Sequence, residues 1–324
     1  MIPRLAWTLL GARRYPGWRP RLARIRRLQR LDPASFASWQ EEAVARHLRW
    51  AAVRIPWWRE RIRPWHHLED LPILSRAAVQ RHAERLRDPA RPLGRLEEQA
   101  SGGSTGEPVV LWQDQAYKSW DHATEIHVMA SWGLEPWCRG AFVWGSDRDL
   151  STLPPRDRLW IRLLDRRLYD AFRMGEADLP AIAGDMERFQ PRYVQGYASA
   201  LELLARWLLA HRPGHRIRPR VIRSSAETLS AKAREAIEGA FHAPVRDFYG
   251  SRESASIAAE CSRGSLHVQA HARVVEIVDE AGRVLGPGEP GRLLVTDLTN
   301  RAFGLIRYET GDVVQGLLGW QRYS

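Results

Sequence analysis

Between residues 190 and 250 the chain repeats one unit: a short apolar run, a polar loop, then an amphipathic stretch. Arg192-Tyr-Val-Gln-Gly-Tyr197 reads as a strand leaving into a turn. Ser199 is placed to cap a helix that carries Leu201, Leu204, Trp207 and Leu208 at three- and four-residue steps. Arg220-Val-Ile-Arg223 is a second buried strand, followed by Ser224-Ser225-Ala226-Glu227. Ser230 opens another helix that Gly239 is expected to close, and Val245 to Tyr249 forms a third strand ending at Gly250. Strands separated by helices imply right-handed crossovers and a mostly parallel sheet, so the fold class is α/β. Ligands of such sheets lie beyond the carboxyl ends of the strands. The polar loops after these strands are therefore where a site is expected.

The flanks carry different rhythms. Residues 34–62 repeat at helical spacing through Phe36, Trp39, Ala43, His47, Leu48 and Ala51, until Pro56 interrupts. Ser75 is a good N-cap for a helix from Arg76 to Leu86. Past residue 265 hairpins take over. Val274 to Val278 and Arg292 to Leu298 are strands, joined through Asp279-Glu-Ala-Gly282 and Gly286-Pro-Gly-Glu-Pro-Gly291. A smaller β-rich subdomain attached to the α/β body is expected.

At 324 residues and 44% hydrophobic content the chain can bury a substantial core. Cys138 and Cys261 are too few for a disulfide framework, which points to a reducing cytoplasm. The net charge is +11, and every basic residue except Lys118 and Lys232 is arginine. A nucleic-acid partner is not expected, because such proteins concentrate their charge in a patch. The densest cluster runs from Arg13-Arg14 to Arg30, near Trp7 and Trp18. A solvated basic face and a peripheral contact with anionic lipid both fit it. The apolar run Leu5 to Leu10 is too short to span a bilayer and lacks a cleavage site, so neither a signal peptide nor a transmembrane helix is read.

Three loops carry chemistry. In Ser101-Gly-Gly-Ser-Thr-Gly-Glu-Pro108 the glycines permit inward-pointing N–H groups, and Ser104 and Thr105 add hydroxyl donors. No Gly-Lys-Ser/Thr follows, so it is not a Walker A loop; a phosphate cradle and a plain glycine-rich hairpin both fit. Tyr249-Gly-Ser-Arg-Glu253 offers a carboxylate for Mg²⁺, or simply a turn with an exposed acid. Tyr308-Glu-Thr-Gly-Asp312 offers an acid for ribose hydroxyls, or a tight turn closing the β-rich part.

Taken in order, SGGSTGEP, SSAE, YGSRE and LTNRAFGLIRYETGD resemble the adenylate-forming superfamily of acyl-CoA synthetases. The nearest branch is phenylacetate–CoA ligase and CapK-like, which includes coenzyme F390 synthetase-like proteins. GRLLVTDLTNRAFGLIRYET, residues 291–310, is the most specific phrase, and HLRWAAVRIPWWRER and LEDLPILSRAAVQ resemble the usual opening of that branch. The resemblance implies that Ser101, Gly103, Ser104, Thr105 and Gly106 wrap the β- and γ-phosphates of ATP. It implies that Ala226 and Glu227, with Tyr249, Gly250 and the adjoining Ser251, hold the adenine. Asp312 would bind the ribose and Glu253 the Mg²⁺, with Arg252 beside it. A carboxylate substrate would enter near Trp144-Gly145 and Gly196-Tyr197 and form an acyl-adenylate, for transfer to CoA or a carrier protein.

The same resemblance divides the chain into a helical part (1–90), a nucleotide-binding α/β body (91–264) and a β-rich subdomain (265–324), and it admits a homodimer. Two departures stand out. The glycine-rich loop has Glu107, Val109 and Val110 where the superfamily often has a lysine, and Arg252 precedes Glu253 where a threonine is usual. Arg252 is expected either to lend charge to the phosphates or to pair with an acid. The sequence ends 12 residues after Asp312, so the mobile C-terminal domain with its catalytic lysine is expected to be absent. Losing such a contact costs on the order of 10²–10³ in rate, and a non-catalytic nucleotide-binding paralogue is the alternative expectation. Cys261 with His267 and His271 is an incomplete zinc set, better read as a buried thiol and ordinary surface histidines.

Overall fold

A computed structural model describes residues 2–100, 108–145 and 155–315. Seven strands form the central sheet: β3 (Gly140–Val143), β4 (Arg166–Tyr169), β5 (Tyr193–Tyr197), β6 (Val221–Ser225), β7 (Val245–Ser251), β8 (Ala255–Glu260) and β9 (Leu266–Val268). Their order is β4-β3-β5-β6-β7-β8-β9. The first five pair in parallel, and β8 and β9 add antiparallel strands at one edge. The hairpin strands β1 (Glu97–Ala100) and β2 (Val110–Gln113) form a separate two-stranded sheet, and β10 (Arg273–Val278), β11 (Gly291–Asp297) and β12 (Tyr308–Val314) an antiparallel three-stranded one.

Strand side chains alternate between two helical layers, as a parallel sheet requires. Val194 and Ile222 face the helices Leu179–Phe189, Ala198–His211 and Ala231–Phe241, whose Met186, Leu201, Leu204, Leu208, Ile237 and Phe241 fill that side. Tyr193 and Val221 point the other way, onto Val128 and Met129 of the helix Gln115–Ser131. Leu201, Leu204 and Leu208 have no exposed surface, and burial of each contributes about 2 kcal/mol. A further core joins the ends of the described chain. Trp58 and Ile55 pack against Phe303, Leu305 and Ile306, and Trp58 Nε1 donates to the Gly304 carbonyl at 2.7 Å.

Several local expectations are corrected. Ser199 does not cap its helix, which begins at Ala198; it sits in the first turn and is itself held from outside. The helix from Ala231 continues past Gly239 to Phe241, and His242 takes the left-handed φ of 49°. Ser224 and Ser225 belong to strand β6 rather than to a loop, and β7 runs through Gly250 to Ser251 with a register shift at that glycine. The caps at Ser75 and Ser230 are as expected, accepting from Ala78 N and Ala233 N. His267 and His271 are buried, not surface, residues.

Candidate functional site

The parallel register lines up the strand ends. Val143 lies opposite Gly196, Tyr197 opposite Ser225, and Ser225 opposite Phe248. Trp144, Ala226 and Tyr249 therefore leave one edge of the sheet beside Tyr197. Strand β3 is followed by β4 on one side and β5 by β6 on the other, so the order reverses between β3 and β5. That reversal opens a crevice in α/β sheets. Trp144 and Tyr197 meet there, their rings stacked at 4.3 Å with planes 6° apart, and Phe172 stands edge-on to Tyr197 at 5.6 Å. A Cβ on Gly196 would lie 2.9 Å from both Leu201 Cγ and the Val143 carbonyl oxygen, so only glycine fits. Gly145 adopts φ 135°, open to glycine alone. The four expected pocket residues are thus neighbours. Phe172, 66% exposed, lies in a stretch without periodicity and gave no sequence signal.

At the end of β6, Ala226 takes φ 69°, a left-handed conformation that is rare for a residue with a Cβ. It turns Glu227 towards the helix Ala198–His211. Glu227 Oε2 accepts from Ser199 N at 2.8 Å and Oε1 from Ser199 Oγ at 3.0 Å. The carboxylate thereby satisfies a free helix N–H and faces the positive end of the helix dipole.

The end of β7 reaches the three-stranded sheet. Tyr249 Oη donates to Asp312 Oδ2 of β12, and its pKa is raised by burial first and by that carboxylate second. A Cβ on Gly250 would lie 2.4 Å from the Ala255 carbonyl oxygen, which forces glycine where β7 turns towards β8. Ser251 Oγ accepts from Ser254 N at 3.0 Å and closes the turn.

Arg252 takes a role the sequence did not suggest: its Nη1 donates to the Ala100 carbonyl at 3.2 Å, and the Arg252 carbonyl accepts from Gln113 Nε2 at 3.3 Å. It ties the turn to both strands of the β1–β2 hairpin. Ser101, Gly103, Ser104, Thr105 and Gly106 lie outside the described residues.

Glu253 is buried, with Arg76 Nη1 3.6 Å from its Oε1. Tyr308 shares this cluster; burial raises its hydroxyl pKa, and the Glu253 carboxylate adds to the rise. Arg76 reaches the site because the segment before it pairs with β12: Leu74 N donates to Arg307 O at 2.9 Å, and Glu309 N to Leu74 O at 3.1 Å. Its sequence context is an ordinary helix start, so nothing marked it. It supplies a cation beside a candidate Mg²⁺ ligand. Among the described residues no group of three or more His, Cys, Asp or Glu is arranged to hold a metal. His271 Nε2 lies 2.9 Å from Thr124 Oγ1, and burial holds that ring well below its usual pKa.

No protein-family model matches the chain. CapK of Staphylococcus aureus is 24% identical over 252 residues, which is 77% of this chain and 54% of CapK. The chain is similar to CapK over most of its length. It spans about half the length of that relative. An open conformation of 2-hydroxyisobutyryl-CoA ligase, in complex with 2-HIB-AMP and CoA, superposes with a TM-score of 0.71 at 16% identity, over 89% of this chain and 72% of that one. ATP-bound MatB from Rhodopseudomonas palustris gives a TM-score of 0.50 at 14% identity, over 67% of this chain and 45% of MatB. The fold of the chain is that of the large N-terminal domain of adenylate-forming enzymes, a parallel-rich sheet with a separate antiparallel β-subdomain.

Proposed function

We propose that the chain binds ATP with Mg²⁺ and activates a carboxylic acid as its acyl-adenylate. The observation that carries this reading is the convergence of four segments at the strand ends of the central sheet with Asp312 of the three-stranded sheet, which Tyr249 holds beside them. The four are Trp144-Gly145, Gly196-Tyr197, Ala226-Glu227 and the Tyr249–Glu253 turn. The CoA and acyl-AMP ligands of the solved neighbours support it.

In this reading Ser101, Gly103, Ser104, Thr105 and Gly106 receive the β- and γ-phosphates, between strands that Arg252 holds. Ala226, Glu227, Tyr249, Gly250 and Ser251 line the adenine, and Asp312 accepts from the ribose hydroxyls. One buried carboxylate, as Glu253 presents, suits Mg²⁺, which usually keeps waters and phosphates as its remaining ligands; the ion would neutralise charge between the phosphates. Arg76 adds a second positive centre there. A carboxylate beside Trp144 and Tyr197 attacks the α-phosphorus, a new P–O bond forms, and pyrophosphate leaves with the electrons of the broken bond. The chain's contribution is positioning and charge neutralisation, with no protein nucleophile. CoA or a carrier protein then accepts the acyl group. A cytoplasmic location and the division at residues 90 and 264 belong to the same proposal.

A second reading, nucleotide binding without turnover, is favoured by one observation: Glu253 is already engaged by Arg76 and Tyr308. Two measurements separate the readings. Saturating ATP with Mg²⁺ is expected to raise the melting temperature under both; no rise would defeat both. Carboxylate-dependent exchange of labelled pyrophosphate into ATP is expected under the first alone.

A further inference from the structure

The excess charge of this protein is concentrated in its first two helices. Residues 1–31 hold nine of the 49 basic side chains and none of the 38 acidic ones, so the remainder, with 40 against 38, is close to neutral. The helices Ile2–Arg14 and Trp18–Leu28 follow one another and meet at an edge contact between Trp7 and Trp18, 5.3 Å between ring centres. Their inner faces are used. Trp7, Trp18, Leu22 and Ile25 pack with Ala123 and Ile126 of the helix Gln115–Ser131. Gln115 Nε2 also donates to the Arg14 carbonyl at 2.6 Å, so the pair is fixed to the body.

The outer faces combine two features. Arg13, Arg14, Arg26 and Arg27 are exposed. On the first helix Leu5 and Leu9, four residues apart and 63% and 60% exposed, make an apolar stripe that Ala12 continues. A solvated basic face has no need of such a stripe. An interfacial helix does, because leucines enter the acyl boundary while arginines meet lipid phosphates. Neither helix is long and apolar enough to cross a membrane.

We propose that these two helices dock the protein flat on an anionic lipid bilayer. Arg13, Arg14, Arg26 and Arg27 contact the headgroups, and Leu5 and Leu9 insert between them. The phosphates of a bilayer match the arginines, and its apolar layer matches the leucines. A nucleic acid or an acidic protein would leave Leu5 and Leu9 unused.

The test is sedimentation of the full chain with vesicles of phosphatidylcholine, alone or mixed with about one-third phosphatidylglycerol. Retention is expected on the anionic vesicles only, weakening as salt rises from about 0.05 to about 0.5 M. The quadruple variant R13Q/R14Q/R26Q/R27Q should lose at least about tenfold in partitioning. L5Q/L9Q should lose the fraction that resists high salt. R216Q/R218Q, a control at exposed arginines elsewhere, should bind like the parent. Unchanged circular dichroism of each variant shows that the loss is not one of folding. Equal binding to neutral vesicles, or none to anionic ones at low salt, overturns the proposal. So does an unaffected L5Q/L9Q, or duplex DNA that binds the parent tightly and strips it from the vesicles.

Discussion

Arg273 and Asp312 both belong to the three-stranded sheet, yet they are held in opposite ways. Arg273 is 2% exposed and donates to the Ser254 and Ala272 carbonyls, to Asp297 Oδ1 at 3.1 Å, to Thr299 Oγ1 and to Tyr117 Oη. These partners come from β8's turn, the helix Gln115–Ser131 and β11, so one guanidinium clamps the small sheet to the body. Asp312 lies at the surface and, among the described residues, its carboxylate takes one side-chain hydrogen bond, from Tyr249. A charge removed from water must be fully paired, whereas a surface charge can exchange its partner for a ligand. The clamp is therefore a matter of stability, and the sheet edge, in the proposed function, a matter of binding.

Breaking the clamp should have the largest effect. Arg273→Ala should cost about 3–5 kcal/mol in urea unfolding, because it strands Asp297 in the interior. Replacing both partners with apolar residues, R273M/D297L, should recover little of that loss, because Asp297 Oδ1 also accepts from Thr299 N, Thr299 Oγ1 and Asn300 N. A cost below about 1 kcal/mol for R273A would dissolve the contrast.

Acid should act next, and mainly on the interior. Burial lowers the pKa of His122 and His127 to about 4, below an unfolded value near 6.5. The unfolded chain binds more protons between these values, so stability is full above pH 6.5 and falls as the pH drops towards 4. Asp121, raised by burial and by Glu125, offsets part of the fall. His47 and His271, which burial also holds well below the usual value, deepen it, so the net loss, read by urea titration at pH 7 and at pH 4.5, should be at least about 3 kcal/mol.

The edge should respond more mildly. Glu227→Ala removes the outside support of the helix at Ser199 and should cost about 1 kcal/mol. Asp312→Asn should cost under about 0.5 kcal/mol, yet reduce the rise in melting temperature that ATP produces. If D312N destabilises the chain as much as R273A does, the edge is structural after all.

The sequence disclosed what repeats and what lies near its own neighbours. Apolar runs alternating with helical stretches between 190 and 250 specify a parallel sheet, because only helices of that length bridge parallel strands. The strand ends then bring Trp144, Tyr197, Ala226 and Tyr249 together without any knowledge of side chains. Arg76 was not legible, because a backbone pairing at Leu74 delivers it and no local pattern records that. His242 displaced Gly239 as the helix end because the chain had two more apolar residues, Ala240 and Phe241, to bury. Glu227 was read for a ligand alone, since nothing local shows that Ser199 lies opposite.

The Tyr249–Asp312 hydrogen bond has a consequence for selectivity. In the free protein the Tyr249 phenol already occupies one oxygen, Oδ2, of the carboxylate to which the proposed function assigns the sugar. A ribose bound there in the proposed way would place one hydroxyl on Oδ1 and exchange the other for the phenol at Oδ2, and the net gain from that second contact is small. ATP and its 2′-deoxy counterpart should then bind this edge within about tenfold of each other, a difference of about 1.4 kcal/mol or less. Tyr249→Phe, which frees the acceptor, should widen that gap.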